Sequence, residues 1–378
     1  MKIIVSPNSF KESISSVEAS DIISSGLKKE LKNDNIINIP IADGGDGSLE
    51  VFKKYVKGEI VTIDVFGPSG NKITSKYLLF DQGKSAFIEL AESSGLKLVD
   101  VDDRNPSKYN SYATGEVIND ALKKGVKKII LTLGGSATVD GGIGILLALG
   151  VKFYNMKGNE LKNDNFLSDI ARVDYHEMNF SGIEFVLITD VNNKLLGKKG
   201  ASFTYARQKG ASKLEVKKLE KGLTNFSYLT KKLTNKNPEK IIGGGAAGGI
   251  AAFLTIYLTA KIYSGTDFLL KHIQYEEKMK NSDILITGEG KLDRQTLCGK
   301  APLIVAKKAK KHGVLTIAIV ASVDYNIYSD LNKVFDLIIP FQKISRQYSI
   351  SNVKKLLYEI SIKVGQIIRL SQKLINKY

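Results

Sequence analysis

A short apolar run, Asp283-Ile-Leu-Ile, empties into a polar loop, Thr287 to Pro302, that reads T-G-E-G-K-L-D-R-Q-T-L-C-G-K-A-P; a helical pattern, Ile304 to Lys311, follows. Strand, glycine-bearing loop, helix is the layout of a ligand-binding turn in an α/β protein. Gly288 and Gly290 bracket Glu289, where backbone approaches closely or turns with positive φ. Lys291, Asp293, Arg294 and Lys300 complete the loop. Carboxylates and cations mixed at a strand end suit a metal–phosphate substrate. The layout recurs. Residues 2–5 lead into Ser6-Pro-Asn-Ser-Phe-Lys-Glu, Ile36 to Ile41 into A-D-G-G-D-G-S, and Lys128 to Leu133 into G-G-S-A-T-V-D-G-G-I-G. Chains written this way alternate strands and helices around a parallel sheet.

The middle of the chain departs from that rhythm. Glu59 to Leu90 alternates apolar and polar residues about Gly67-Pro-Ser-Gly70, a hairpin signal, and Phe153 to Glu160 reads as a small hairpin around Asn159. Glu184 to Ile188 is a strand delivering Thr189-Asp190, and a lysine-rich helix starts near Ser212. Parallel rhythm returns with strands at 316–320 and 336–339 and a terminal helix from about Ser351. The pattern predicts an α/β protein of two domains. One is discontinuous, 1–60 with 282–378, and the other is an insert, 61–281. A cleft between such domains is a usual ligand site.

Composition excludes several classes. With 378 residues, 43% of them hydrophobic, the chain is globular and long enough for two cores. A single cysteine, Cys298, rules out a disulfide framework and predicts a cytoplasmic setting. The three histidines lie outside the glycine-rich loops, which argues against a zinc site or a Ser-His-Asp triad. The net charge of +16 is spread over helical Lys-Lys pairs, with no stripe of arginines and aromatics, so no nucleic-acid partner is expected. The first apolar run is too short for a signal peptide. Ile241 to Ala260 carries no charge, but its first half is glycine-rich loop and Ile250 to Leu258 is too short to span a bilayer. A buried helix and no membrane association follow. Gly83-Lys84-Ser85 lacks the earlier glycine of a Walker loop, since Leu78 stands there. Gly243-x-Gly-x-x-Gly248 lacks the preceding strand that a dinucleotide fingerprint needs.

Taken in order, the motifs form a set: Asn8-Ser-Phe-Lys, Ala42-Asp-Gly-Gly-Asp-Gly, Glu92-Ser-Ser-Gly-Leu, Tyr112-Ala-Thr-Gly-Glu and Gly134-Gly-Ser-Ala-Thr-x-Asp-Gly-Gly. Thr189-Asp-Val, Gln208-Lys-Gly-Ala, Gly245-Ala-Ala-Gly-Gly and the T-G-E-G stretch follow. The set resembles the bacterial type I glycerate kinases across nearly the whole chain. That resemblance implies ATP-dependent phosphorylation of D-glycerate with Mg²⁺, with 2-phosphoglycerate favoured over 3-phosphoglycerate. It implies a flavodoxin-like domain built from both chain ends and an inserted α/β domain similar to restriction endonucleases, in a monomer or homodimer. The family usually has Asp at Asn8, Gly at Glu12, Glu at Asp46 and Asn at Val139. It also has a proline at Lys194 and Gly-Pro at Ala206-Arg207. Asn8 removes a carboxylate from the first loop, and the alternative it supports is a noncatalytic phosphometabolite-binding protein.

Phosphoryl transfer needs N–H cradles and lysines for phosphates, carboxylates for Mg²⁺, and an acid near the acceptor hydroxyl. Asp43 and Asp46, flanked by glycines, are the metal candidates. Asp190, alone at its strand end, is the base or acceptor-orienting acid. Lys11, before a helix capped by Ser15 and Glu18, is a phosphate-holding catalytic candidate, and Asp293 joins the catalytic set. The cofactor-binding candidates are Gly134, Gly135, Ser136, Thr138, Lys209, Gly245, Glu289 and Lys300. Cys298 needs only to be small.

Overall fold

The computed structural model describes every residue except 11–12, 163–164, 177–179, 298, 342–349 and 376–378. Lys11, Glu12 and Cys298 therefore lie outside the described residues. The chain is α/β and divides into two compact units, Met1–Asp43 with Thr266–Tyr378, and Gly44–Gly265.

The first unit holds a five-stranded sheet, parallel throughout, built from both ends of the chain. Its strands are Lys2–Val5, Asn35–Asn38, Ile284–Thr287, Leu315–Val320 and Leu337–Pro340. Counted within this sheet, their order is 2-1-3-4-5, the flavodoxin-like doubly wound order. K-I-I-V, I-L-I-T and L-T-I-A-I-V are continuous apolar runs rather than alternating ones, as expected for strands covered on both faces. Ile3, Ile4, Val5, Leu285 and Ile286 have no solvent exposure. Ser15 caps the helix Ser16–Lys28 by accepting the Glu18 N–H at 3.2 Å. That helix sets Ala19, Ile23 and Leu27 in one core with Leu357, Val364 and Ile368 of the terminal helix Ile350–Ile375. Each of the buried leucine, isoleucine and valine side chains among them contributes about 1.5–3 kcal/mol.

The second unit holds a six-stranded mixed sheet. Lys261–Tyr263, Glu184–Ile188, Lys128–Thr132 and Ser85–Glu89 run parallel in that order, and the antiparallel hairpin Lys72–Phe80 and Gly58–Phe66 completes it. A second, three-stranded sheet joins Lys152–Tyr154 to Glu160–Leu161 and to Arg172–Asp174. Its turn centres on Asn155 rather than Asn159, because Asn155 Oδ1 accepts the N–H groups of Lys157 and Asn159. The helix Lys213–Thr234 opens on a full Ser212–Glu215 capping box and stacks Phe226 on Phe253 at 4.0 Å. Phe253 belongs to the buried helix Ile250–Tyr257. Among the described residues no helix is long and apolar enough to cross a membrane. A 3-10 turn, Pro238–Lys240, stands before Gly243 where a dinucleotide fingerprint would need a strand.

Candidate active site

Ligands of doubly wound sheets sit at the carboxyl ends of the strands where the order reverses. In the first unit that place lies between Lys2–Val5 and Ile284–Thr287. The two outgoing chains are bonded together there. Ser6 N–H donates to Ile286 O at 2.7 Å, Asn8 N–H to Gly288 O at 2.8 Å, and Thr287 Oγ1 to Ser6 O at 2.7 Å. A Cβ on Gly288 would overlap the carbonyl oxygen of Ile319, so only glycine fits. The next residue, Glu289, is 4% exposed, and Thr296 Oγ1 donates to its Oε1 at 2.7 Å. Lys300, at the N-cap of the helix Ala301–Lys311, places Nζ 3.7 Å from Glu289 Oε2 and 3.7 Å from Asp293 Oδ1. Asn8 Nδ2 donates to Asp43 Oδ2 at 3.4 Å.

Burial pushes the Glu289 carboxyl up to about 7. Lys300 and Thr296 pull it down, and the charges of Asp43 and Asp293 push it further up. Four residues singled out in the sequence, Asp43, Glu289, Asp293 and Lys300, thus meet in one electrostatic cluster with three carboxylates to one lysine.

In the second unit two glycine-rich loops interlock. A Cβ on Gly134 would overlap Gly45 Cα, and one on Gly135 would come within 2.7 Å of both carboxylate oxygens of Asp46. Gly134 N–H donates to Gly44 O at 3.0 Å. Asp46 and Asp43 fall in different units and have different neighbours. Asp46 acts on Lys97, which pairs with Glu92 and lies 3.8 Å from Glu89.

Glu89, at the end of Ser85–Glu89, holds the Asp46 loop from beneath. Its Oε1 accepts the Gly47 N–H at 3.0 Å and its Oε2 the Leu49 N–H at 2.9 Å, at the start of the helix Ser48–Tyr55. Asp140, fully buried, accepts from Ser111 N–H and Oγ, Gly142 N–H and Gly144 N–H at 2.7–3.3 Å, so it organises its own loop. Lys209 is buried against the same loop, donating to Ser136 Oγ and Thr138 O. The buried Thr138 hydroxyl has no protein partner. Asp190 Oδ1 accepts from Ser264 Oγ at 2.8 Å and from Gly265 N–H at 2.7 Å. Gly245 N–H donates to Asn193 O at 2.9 Å, three residues beyond Asp190.

Sequence reasoning passed over Glu89, Lys97 and Thr296. Glu89 carried one signal, an acid ending a strand whose other residues are uncharged. Thr296 sits three residues after Asp293, whose N–H donates to its hydroxyl at 3.1 Å.

Burial is the chief cause that pushes the Glu89 carboxyl up to about 7, against the pull of the Leu49 and Gly47 N–H groups and Lys97. A carboxyl raised in the folded state favours folding below its unfolded pKa, and that advantage is lost as pH rises through the folded value. From about pH 4.5 to 7, wild type should therefore lose several degrees of Tm relative to Glu89→Gln. Melting curves for both proteins at pH 5 and pH 8 check this; a Tm difference that stays constant refutes it.

The glycerate kinase family profile matches residues 3–369. A glycerate kinase from Halalkalibacterium halodurans is 39% identical over 323 residues, 85% of each chain. A protein named glycerate 2-kinase from Escherichia coli is 36% identical over 326 residues, again 85% of each. A crystal structure of a Salmonella typhimurium LT2 protein assigned as glycerate kinase 2 superposes with a TM-score of 0.81, at 32% identity, over 99% of both chains.

Proposed function

Because this chain belongs to the glycerate kinase family and is a kinase that phosphorylates glycerate, we propose that ATP is its phosphoryl donor, Mg²⁺ its cofactor and the 2-hydroxyl of D-glycerate its acceptor. The name of the Escherichia coli relative supports the 2-position. The observation that carries the reading is the switch-point cluster, Glu289, Asp293, Asp43 and Lys300, with more carboxylate than cation at the place where doubly wound sheets bind ligands.

These residues fit Mg²⁺. Among the described residues no three Asp, Glu, His or Cys side chains form a metal-holding group. Mg²⁺ does not need three, because it keeps waters and takes one or two carboxylates plus phosphate oxygens. Burial chiefly raises Glu289 and the charges of Asp43 and Asp293 add to it; a divalent cation would favour the ionised form against both. Asp43 would hold it, with Glu289 or Asp293 beside it, and the ion would neutralise charge on the phosphates.

Protein groups would do the positioning on which phosphoryl transfer depends. Lys300, at a helix start, would meet phosphate oxygens, as would Lys11. In the second unit the half-exposed Gly135 offers its backbone N–H close to Asp46, while the Gly134 N–H holds Gly44 O. Asp190 would orient the acceptor hydroxyl. The single cysteine supports a reducing, cytoplasmic setting.

The test is ADP release from Mg·ATP with and without D-glycerate, followed by NMR of the product. D-glycerate should stimulate turnover and the phosphate should sit on the 2-oxygen. Turnover indifferent to D-glycerate refutes the donor–acceptor assignment, and a 3-phosphate product refutes the regiochemistry alone.

A further inference from the structure

Lys209 lies in the turn Arg207–Lys209 and is 5% exposed. Its Nζ donates to Ser136 Oγ at 2.6 Å and to Thr138 O at 2.7 Å. Burying an ammonium is expensive unless charge and hydrogen bonds compensate. Among the described residues Asp140 is the one ionised group that acts on it, and that carboxylate is already engaged by Ser111, Gly142 and Gly144. Arg207 in the same turn, and Arg104, whose carbonyl lies against Gly210, are not among the groups that shift it.

Burial pulls the ammonium down to about 7, with Asp140 opposing. Holding a hydroxyl and a carbonyl is work that a neutral donor could do without this penalty. A lysine there calls for a reason beyond the fold.

Ser136 supplies one. It follows Gly134 and Gly135, whose backbone is half-exposed beside Asp46. A hydroxyl that accepts a charge-assisted hydrogen bond becomes a stronger donor through its own proton, which here reaches Thr138 O at 3.4 Å, a long bond that a better-placed phosphoryl oxygen would displace. The same loop also carries the Thr138 hydroxyl, which no protein group satisfies.

We propose that Lys209 and Ser136 form a dyad in which the buried ammonium polarises the Ser136 hydroxyl, and that hydroxyl donates to an oxygen of the phosphoryl group as negative charge shifts during transfer. Ser136 is then a catalytic residue and Lys209 a positioning residue acting through it. The dyad rests on the ATP-dependent kinase reading above and deepens it, assigning the group in the second unit that meets phosphoryl oxygens.

The experiment compares Lys209→Met, Ser136→Ala and the double variant. Each single change should lower kcat ~30-fold, below the effect of deleting a fully exposed oxyanion donor, with KM for both substrates within ~3-fold. The double variant should also lose ~30-fold, because the two residues act as one unit, where independent losses would multiply to ~1000-fold. Calorimetric affinity for Mg·ADP should be unchanged, because the loss falls on the chemical step.

A single variant with wild-type kcat, multiplied losses, or a loss confined to KM overturns the dyad. If Lys209→Met does not fold, Ser136→Thr against Ser136→Ala carries the test. Threonine keeps the hydroxyl and should recover turnover, and equal turnover of the two refutes the proposal. Failure of the kinase reading is seen separately, as wild type that D-glycerate does not stimulate.

Discussion

Asp190→Asn should lower turnover ~10³-fold, in the range of a lost general base, while melting within a few degrees of wild type. Asp190 Oδ1 accepts from Ser264 Oγ and Gly265 N–H. The asparagine carbonyl can accept both bonds, so the anchor of that loop survives while the charge goes. Asp190→Ala removes anchor and charge together and should lose both turnover and several degrees of Tm. Asp43→Asn should behave differently, recovering part of its turnover at raised Mg²⁺ or with Mn²⁺, because a weakened metal site refills by mass action. Rescue of Asp190→Asn by metal, without rescue of Asp43→Asn, exchanges the two roles. An active Asp190→Asn beside an inactive Asp190→Ala would make Asp190 a turn anchor and nothing more.

Asp140→Ala should destabilise the protein by about 3–5 kcal/mol, the usual result of removing one partner from a buried charged network. Four donors from three residues lose their acceptor, and Lys209 loses the carboxylate that acts on it. Calorimetry should show a melting transition lowered by ~10 °C, at roughly 2–4 °C per kcal/mol for a unit of this size. Asp140→Asn keeps one acceptor oxygen and should fall between. An alanine variant that melts within ~2 °C of wild type would show that the surrounding backbone finds other partners.

Strands were legible wherever the chain wrote a short apolar run against glycine. Asp283-Ile-Leu-Ile became the strand Ile284–Thr287, and Glu184 to Ile188 appears with the same ends. The alternation of 59–66 and 73–80 became the antiparallel hairpin, because only one residue in two can face a core there. The switch-point cluster was legible too, since Glu289, Asp293 and Lys300 share one loop.

What could not be read was which charges serve the ligand and which serve the loops. Asp140 and Lys209 look like ligand groups in a string of glycines, yet their bonds run inward. Glu89 looks like an ordinary strand end, yet it carries the loop of Asp46. Partners 40 and 73 residues distant leave no local pattern, because hydrogen-bond direction depends on how loops cross in space.

The pairing of Lys2–Val5 with Ile284–Thr287 also sets a timetable for synthesis. The opening strand is central in its sheet, yet its neighbour on one side is encoded some 280 residues later. At ~5–20 residues per second the ribosome takes roughly 15–60 s to reach it. Throughout that interval the nascent amino terminus carries an apolar strand with at least one vacant edge, the kind of edge that templates pairing with other chains. Gly44–Gly265 is continuous, so its sheet needs nothing made later than Tyr263. A ribosome that stalls after the second unit therefore leaves Lys2–Val5 without the partner strand Ile284–Thr287 while the second unit is complete.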